Sequence, residues 1–234
     1  MAIKSAAISL PLLPNLLPED WKETLELAKI TSLSSYKVYG ARLYQTNAVW
    51  AGIGNGLCEH WGDIEKCEVE EWKSRQIQTL VISFTAKELI LENAFMLTPH
   101  SSYISVHERH DDLGYEAWES NRDNETFWDD LGKNVRGVAD RFKNAKLIPQ
   151  ELLLVGDFAG NKLFLDAVEK ALEGIMDVDE MWTNLQMSGY NPQYEAARGA
   201  AELAKRWQGE TWNCVEGDWC ENRKPGEDGG KGEV

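Results

Sequence analysis

The chain has 234 residues, longer than one domain usually is yet within the range of one, and 43% of them are apolar, ample for a core. A formal charge of −15, from 39 acidic against 24 basic residues, argues against a nucleic-acid backbone as partner, because such binding draws on clustered lysine and arginine. No apolar run approaches the ~20 residues that span a bilayer, and Pro11, Pro14 and Pro18 break the residues after Lys4 that a signal peptide would need apolar. The expectation is one main globular body, soluble and cytoplasmic, with basic or neutral partners.

In chain order, Ile3 to Leu10 is an alternating small and apolar run that predicts a strand ending at Pro11. Having no earlier partner, it must pair downstream or lie at an edge. Glu19 and Asp20 place negative charge at the start of a helix that Trp21, Leu25, Leu27 and Ala28 carry to about Ile30. Val38 to Gly40 reads as a short strand and turn. A helix follows from Ala41, with Ala48 and Ala51 on a close-packing face and Gly52, Gly54 and Gly56 at its end. These glycines do not have the spacing of a dinucleotide fingerprint or a P-loop, and a helix C-terminus presents carbonyls, so they read as a cap.

The acidic, tryptophan-bearing segment from Cys58 to Arg75 lacks periodicity and reads as a surface connector. Gln78 to Ser83 and Glu88 to Leu97 then predict a hairpin, and Tyr103 to Arg109 a third strand of a meander. Glu108 to Asp130 is acidic and reads as a solvated loop. It leads into a helix with Phe127, Leu131, Val135, Val138 and Phe142 on its apolar face. Leu152 to Val155 is a short buried strand cut off by Gly156-Asp157, and Leu163, Ala167, Val168, Ala171 and Leu172 give the following helix one apolar face. A short strand is expected near Ile175 or Trp182. Asn191-Pro192 breaks the chain before an alanine-rich helix from Tyr194 to Arg206, whose central Gly199 needs a reason such as close approach of a backbone or a ligand. From Gly209 to Val234 glycine and charge rise and periodicity disappears, which predicts a disordered acidic tail that Trp212 and Trp219 could tether.

Cys58, Cys67, Cys214 and Cys220 have neither the doubled close spacing of a structural zinc site nor the density of a disulfide framework. Isolated reduced thiols are expected over metal, and a Cys58–Cys67 or Cys214–Cys220 disulfide stays open for an oxidising compartment. His100, His107 and His110 lie beside Asp111 and Asp112, but a strand would not converge them, and solvent-exposed histidines are expected. The consecutive carboxylates Glu70-Glu71 and Asp129-Asp130 read as solvated surface.

The run LLLVGDFAGNKLFLDAVEKAL, followed by NPQYEAARGAAELAKR, resembles the end of the nucleotide-binding domain of the seventy-kilodalton heat-shock chaperones and, more widely, the actin-like ATPase superfamily. There a strand ends in a glycine turn that touches the adenosine, and an Asn-Pro leads into a helix bearing Ala-x-Gly-Ala-Ala. Asn191, Pro192, Ala197, Gly199, Ala200 and Ala201 stand in that pattern. Upstream, IKSAAISLP is similar to the chaperones' strand ending in proline, and Gln45 to Gly54 takes the place of their alanine-rich helix. The match lies in order and spacing more than identity and is similar to divergent members known from fungal genomes.

The resemblance implies an α/β fold of the actin-like ATPase, ribonuclease H-like class: a second lobe at residues 77–208, a first-lobe remnant at 1–57, a connector at 58–76 and the tail at 209–234. It implies that the opening half of the first lobe, with its phosphate loop, is missing from this chain, leaving apolar surface on the Ile3 to Leu10 strand and the Ala48 helix for self-association or a protein partner to cover. The family's Asp-x-Gly-Gly-Gly turn aligns with Ser83, Phe84, Thr85, Ala86 and Lys87, so the metal-organising carboxylate and the glycine cradle are both absent. Gln45 stands where the chaperones carry a catalytic glutamate, and an amide is no general base. A vestigial nucleotide cleft would comprise Gly156, Asp157 and Gly199, with Asp157 repelling phosphates if it faced them; both glycines also have a plain packing reading, which is preferred. The expected function is a non-catalytic binding or scaffolding module without cofactor or metal, the alternative being a residual ATP-binding protein taking ATP or ADP with magnesium.

Overall fold

The computed structural model describes residues 4–12, 17–33, 43–124, 126–141, 148–187 and 189–207. At the N-terminal end the expected single strand is two short ones, β1 (Ser5–Ala6) and β2 (Ser9–Leu10), followed by α1 (Pro18–Leu27), β3 (Thr31–Ser32), β4 (Leu43–Tyr44) and α2 (Gln45–Gly52). Both strands do find downstream partners: β1 runs parallel to β3 and β2 parallel to β4. In α1, Pro18 supplies the fixed φ of a first helical turn, the Asp20 carboxylate accepts the Leu17 amide, and Trp21 and Leu25 are buried. Val38 to Gly40 lies outside the described residues, as do Phe142 and the tail from Gly209.

The expected connector contains a helix, α3 (Ile64–Lys73), started by Asp63, whose side chain accepts the Lys66 amide. The meander follows as β5 (Ile77–Phe84), β6 (Leu89–Thr98) and β7 (Ser101–His110), then α4 (Tyr115–Ser120), α5 (Phe127–Asp140), β8 (Glu151–Val155), α6 (Lys162–Leu172), α7 (Val178–Met187) and α8 (Glu195–Trp207). The four long strands form a mixed sheet in the order β7-β6-β5-β8, antiparallel through the meander and parallel between β5 and β8. The register runs from Ile77↔Met96 to Phe84↔Leu89 and from Thr79↔Glu151 to Ser83↔Val155. The class is thus mixed α/β. α4 arises inside the expected loop, and the Ile175 to Trp182 region is a turn and helix in place of a strand, because the Asp177 carboxylate accepts the Glu180 amide and starts α7.

β5 and β8 read as continuous apolar runs because both their faces are covered. Leu80, Ile82, Phe84, Leu152 and Leu154 pack under α5 and α6 with Leu131, Val135, Phe164 and Val168. Val81, Leu153 and Val155 face the other way, onto Val49 and Trp50 of α2 and onto Tyr190. The expectation of exposed apolar surface on the Ala48 helix is therefore overturned: Ala48, Val49, Trp50 and Ala51 are all buried, closed in by β6 and α8.

Candidate functional site

β5, β7 and β8 run in one direction, so their carboxyl ends meet at one end of the sheet, where α/β folds place ligands. Three pieces come together there: the β5–β6 hairpin tip from Thr85 to Glu88, the Gly156-Asp157 turn and α4. Gly156 has φ +106°, and a Cβ on it would lie 2.4 Å from the Phe84 carbonyl oxygen. Only glycine meets both demands. Its amide donates to the Pro192 carbonyl at 3.1 Å, and the Phe158 amide donates to the Phe84 carbonyl at 3.2 Å. The turn thus faces the chain's own backbone, while Asp157 points to solvent.

The hairpin tip is engaged in the same way. The amides of Lys87 and Glu88 donate to the Thr85 hydroxyl at 3.3 and 3.2 Å, and the Thr85 amide donates to the Glu88 carbonyl at 3.0 Å. The amides that open α4 close over it: Tyr115 donates to the Thr85 carbonyl at 3.0 Å and Glu116 to the Ala86 carbonyl at 2.9 Å. Gly114 lets α4 come this near, since a Cβ there would lie 2.3 Å from the Lys87 carbonyl carbon. Aromatic rings fill in behind. Tyr115 stacks on Phe158 with centroids 4.0 Å apart, and Phe84 stacks on Phe164 at 4.5 Å. Lys87 pairs with Glu116 across the tip.

Gly199 belongs to a different contact. At the crossing of α2 and α8, a Cβ on Gly199 would lie 1.6 Å from the Ala48 carbonyl oxygen, and one on Gly52 would lie 2.5 Å from the Glu195 carbonyl oxygen. Each glycine admits the other helix's carbonyl, so the demand for glycine is met by backbone approach. Buried Glu195 accepts the Asn191 amide at 3.0 Å and pairs with Arg198 at 3.3 Å, placing its charge at the positive end of α8. Gly156 meets Phe84 while Gly199 meets Ala48 and Gly52, so the two residues are filled by different elements.

A buried polar cluster joins α2 to the sheet, and sequence reasoning did not find it. Glu92, 5% exposed, accepts the Thr46 hydroxyl and lies 2.9 Å from Nδ1 of His107, its cross-strand partner. Asn47 donates to the Pro99 carbonyl at 2.8 Å and to the Ser102 hydroxyl at 2.7 Å. The order is hydroxyl, carboxylate, imidazole: Glu92 lies between Thr46 and His107, whereas a Ser-His-Asp triad places the imidazole against the hydroxyl. The signal available was Glu92-Asn93 inside the apolar run LILENAFML.

The expectation of solvent-exposed histidines is corrected as well. His107 and His110 are mostly covered and occupy opposite faces of β7, and burial pushes the His100 imidazole down to about 4. Burial, with Glu195 nearby, pushes the Tyr190 hydroxyl up, and that hydroxyl donates to the Leu154 carbonyl. Of the paired carboxylates, Asp129 and Asp130 are surface groups paired with Lys170 and Lys133. Glu70 bonds His60, whereas Glu71 is half-buried and its carboxyl is raised by desolvation and then by Glu68.

Cys58 and Cys67 form a disulfide, against the expectation of reduced isolated thiols; Cys214 and Cys220 lie outside the described residues. The proximity is produced by the N-cap of α3 and by Arg206 of α8, which donates to the Cys58 carbonyl at 2.7 Å. None of the described helices is long and apolar enough to cross a membrane. The chain matches no protein-family model and no curated protein.

Proposed function

We propose that this chain is a non-catalytic binding or scaffolding module on an actin-like, chaperone-like α/β domain, without ATP turnover. One observation carries the reading: the hairpin tip that would have to cradle phosphates has its Lys87 and Glu88 amides bonded to the Thr85 hydroxyl. A phosphate site needs such amides free and unobstructed. Around the tip, α4 and the Tyr115–Phe158 stack occupy the approach, and Gln45 offers no general base.

The resemblance itself is supported by the meander joined to a parallel β8, by the Gly156 turn at the end of that strand, and by the small-residue helix α8 after Asn191-Pro192. For binding, α3 offers an exposed apolar contact point. Trp72 is 88% exposed, Val69 is exposed beside it, and the helix is net acidic, with Glu65, Glu68, Glu70 and Glu71 against Lys66 and Lys73, which suits a basic partner with an apolar anchor.

Isothermal titration with ATP and with ADP, each with and without magnesium, tests the proposal. No saturable heat is expected in any arm. Micromolar, magnesium-dependent binding would sink the proposal in favour of a residual nucleotide-binding protein.

A further inference from the structure

Cys58, Cys67 and Glu71 stand apart from the sheet end, and each offers a ligand atom within 4.8 Å of the others. Both sulfurs are buried and the carboxylate is partly so. Cys67 and Glu71 are four residues apart on α3, hence on one face of the helix. Cys58 reaches that face from the preceding loop.

Contacts other than the sulfur–sulfur bond hold the loop there. The Glu59 amide donates to Glu70 Oε2 at 2.7 Å, His60 bonds the same carboxylate, Asp63 caps α3, and Arg206 grips the Cys58 carbonyl from α8. None of these contacts involves a sulfur, so opening the disulfide breaks none of them directly. The cations near Glu71 are engaged elsewhere: His60 pairs with Glu70 and Lys66 with Asp63, and among the described residues none pairs with Glu71.

We propose that the reduced Cys58–Cys67 pair and Glu71 form a binding site for a thiophilic divalent cation, with Zn²⁺ as the best match to two thiolates and one carboxylate. A dithiol reductant supplies the two electrons and two protons that convert the disulfide into two thiols, and is itself left as a disulfide. Binding of Zn²⁺ then displaces both thiol protons to solvent. The two thiolates and the Glu71 carboxylate give three protein ligands, and water completes the tetrahedron. Oxidation removes two of the three donors at once, so disulfide and metal exclude one another.

The test is titration of tag-free protein with Co²⁺, followed by displacement with Zn²⁺, on the reduced and on the disulfide form. One equivalent of Co²⁺ giving thiolate-to-metal charge-transfer absorption is expected for the reduced chain, lost on adding Zn²⁺, and none for the oxidised chain. Cys58→Ser with Cys67→Ser should abolish the band. Glu71→Gln, which keeps both sulfurs, should weaken binding by at least about tenfold. A reduced chain that keeps its native circular dichroism yet shows no charge-transfer band overturns the proposal. So does equal binding by the oxidised chain, or unchanged affinity in Glu71→Gln.

Discussion

A side chain at Gly199 has nowhere to go, because its Cβ would overlap the Ala48 carbonyl oxygen at 1.6 Å and the Gly52 amide nitrogen at 2.6 Å. Backbone cannot rotate aside as a side chain can, so Gly199→Ala must spread α2 and α8. The expected loss is about 3 kcal/mol in urea unfolding, despite the better helix propensity of alanine. Gly160→Ala, where a Cβ meets nothing within 4 Å, should change stability by less than about 0.5 kcal/mol. His100 sets a second residue-scale prediction. Burial holds its imidazole at about 4 against 6.5 in the unfolded chain, so the unfolded state takes up a proton first as the pH falls. The stability tied to neutral His100 is complete above pH ~6.5 and is lost progressively down to pH ~4, by at most about 3 kcal/mol. Denaturant titrations across that window should be steeper in pH for the native chain than for His100→Gln, and parallel curves would contradict the assignment.

At the scale of elements, what could be read from sequence was what local pattern dictates. The apolar positions Phe127, Leu131, Val135 and Val138 all reach the core, and the hairpin, the third strand and the Leu152 to Val155 strand form where alternation or a short apolar run placed them. α3 and α4 were missed because their support is not in their own periodicity. α3 is held by the Asp63 cap and by Cys58, and α4 by the hairpin carbonyls that its first amides satisfy. α7 was misread because a short apolar run suits strand or helix equally and the Asp177 cap decided it. The Thr46–Glu92–His107 cluster was illegible for another reason: it joins α2 to two strands, a pairing that only the tertiary register creates. The stack that closes α4 over the hairpin yields a prediction at this scale. Tyr115→Ala should cost about 1 kcal/mol. It should also speed hydrogen exchange at Glu116 without altering exchange in β8, whereas unchanged exchange at Glu116 would mean the ring does not hold α4 down.

In the molecule as a whole, α2 ties the N-terminal end to the sheet and to α8, through the α2–α8 crossing and the Glu92 cluster. Such a junction, made by backbone approach and a buried carboxylate, resists sliding better than an apolar seam would. At the sheet end, separately, the chain's own groups close the hairpin tip, the Tyr115 and Glu116 amides donating to the Thr85 and Ala86 carbonyls. Hydrogen exchange of the Tyr115 and Glu116 amides, with and without saturating magnesium–ATP, measures that closure directly. Both amides should be protected in the free protein and unchanged by nucleotide. Rapid exchange that becomes protected only when magnesium–ATP is added would contradict it.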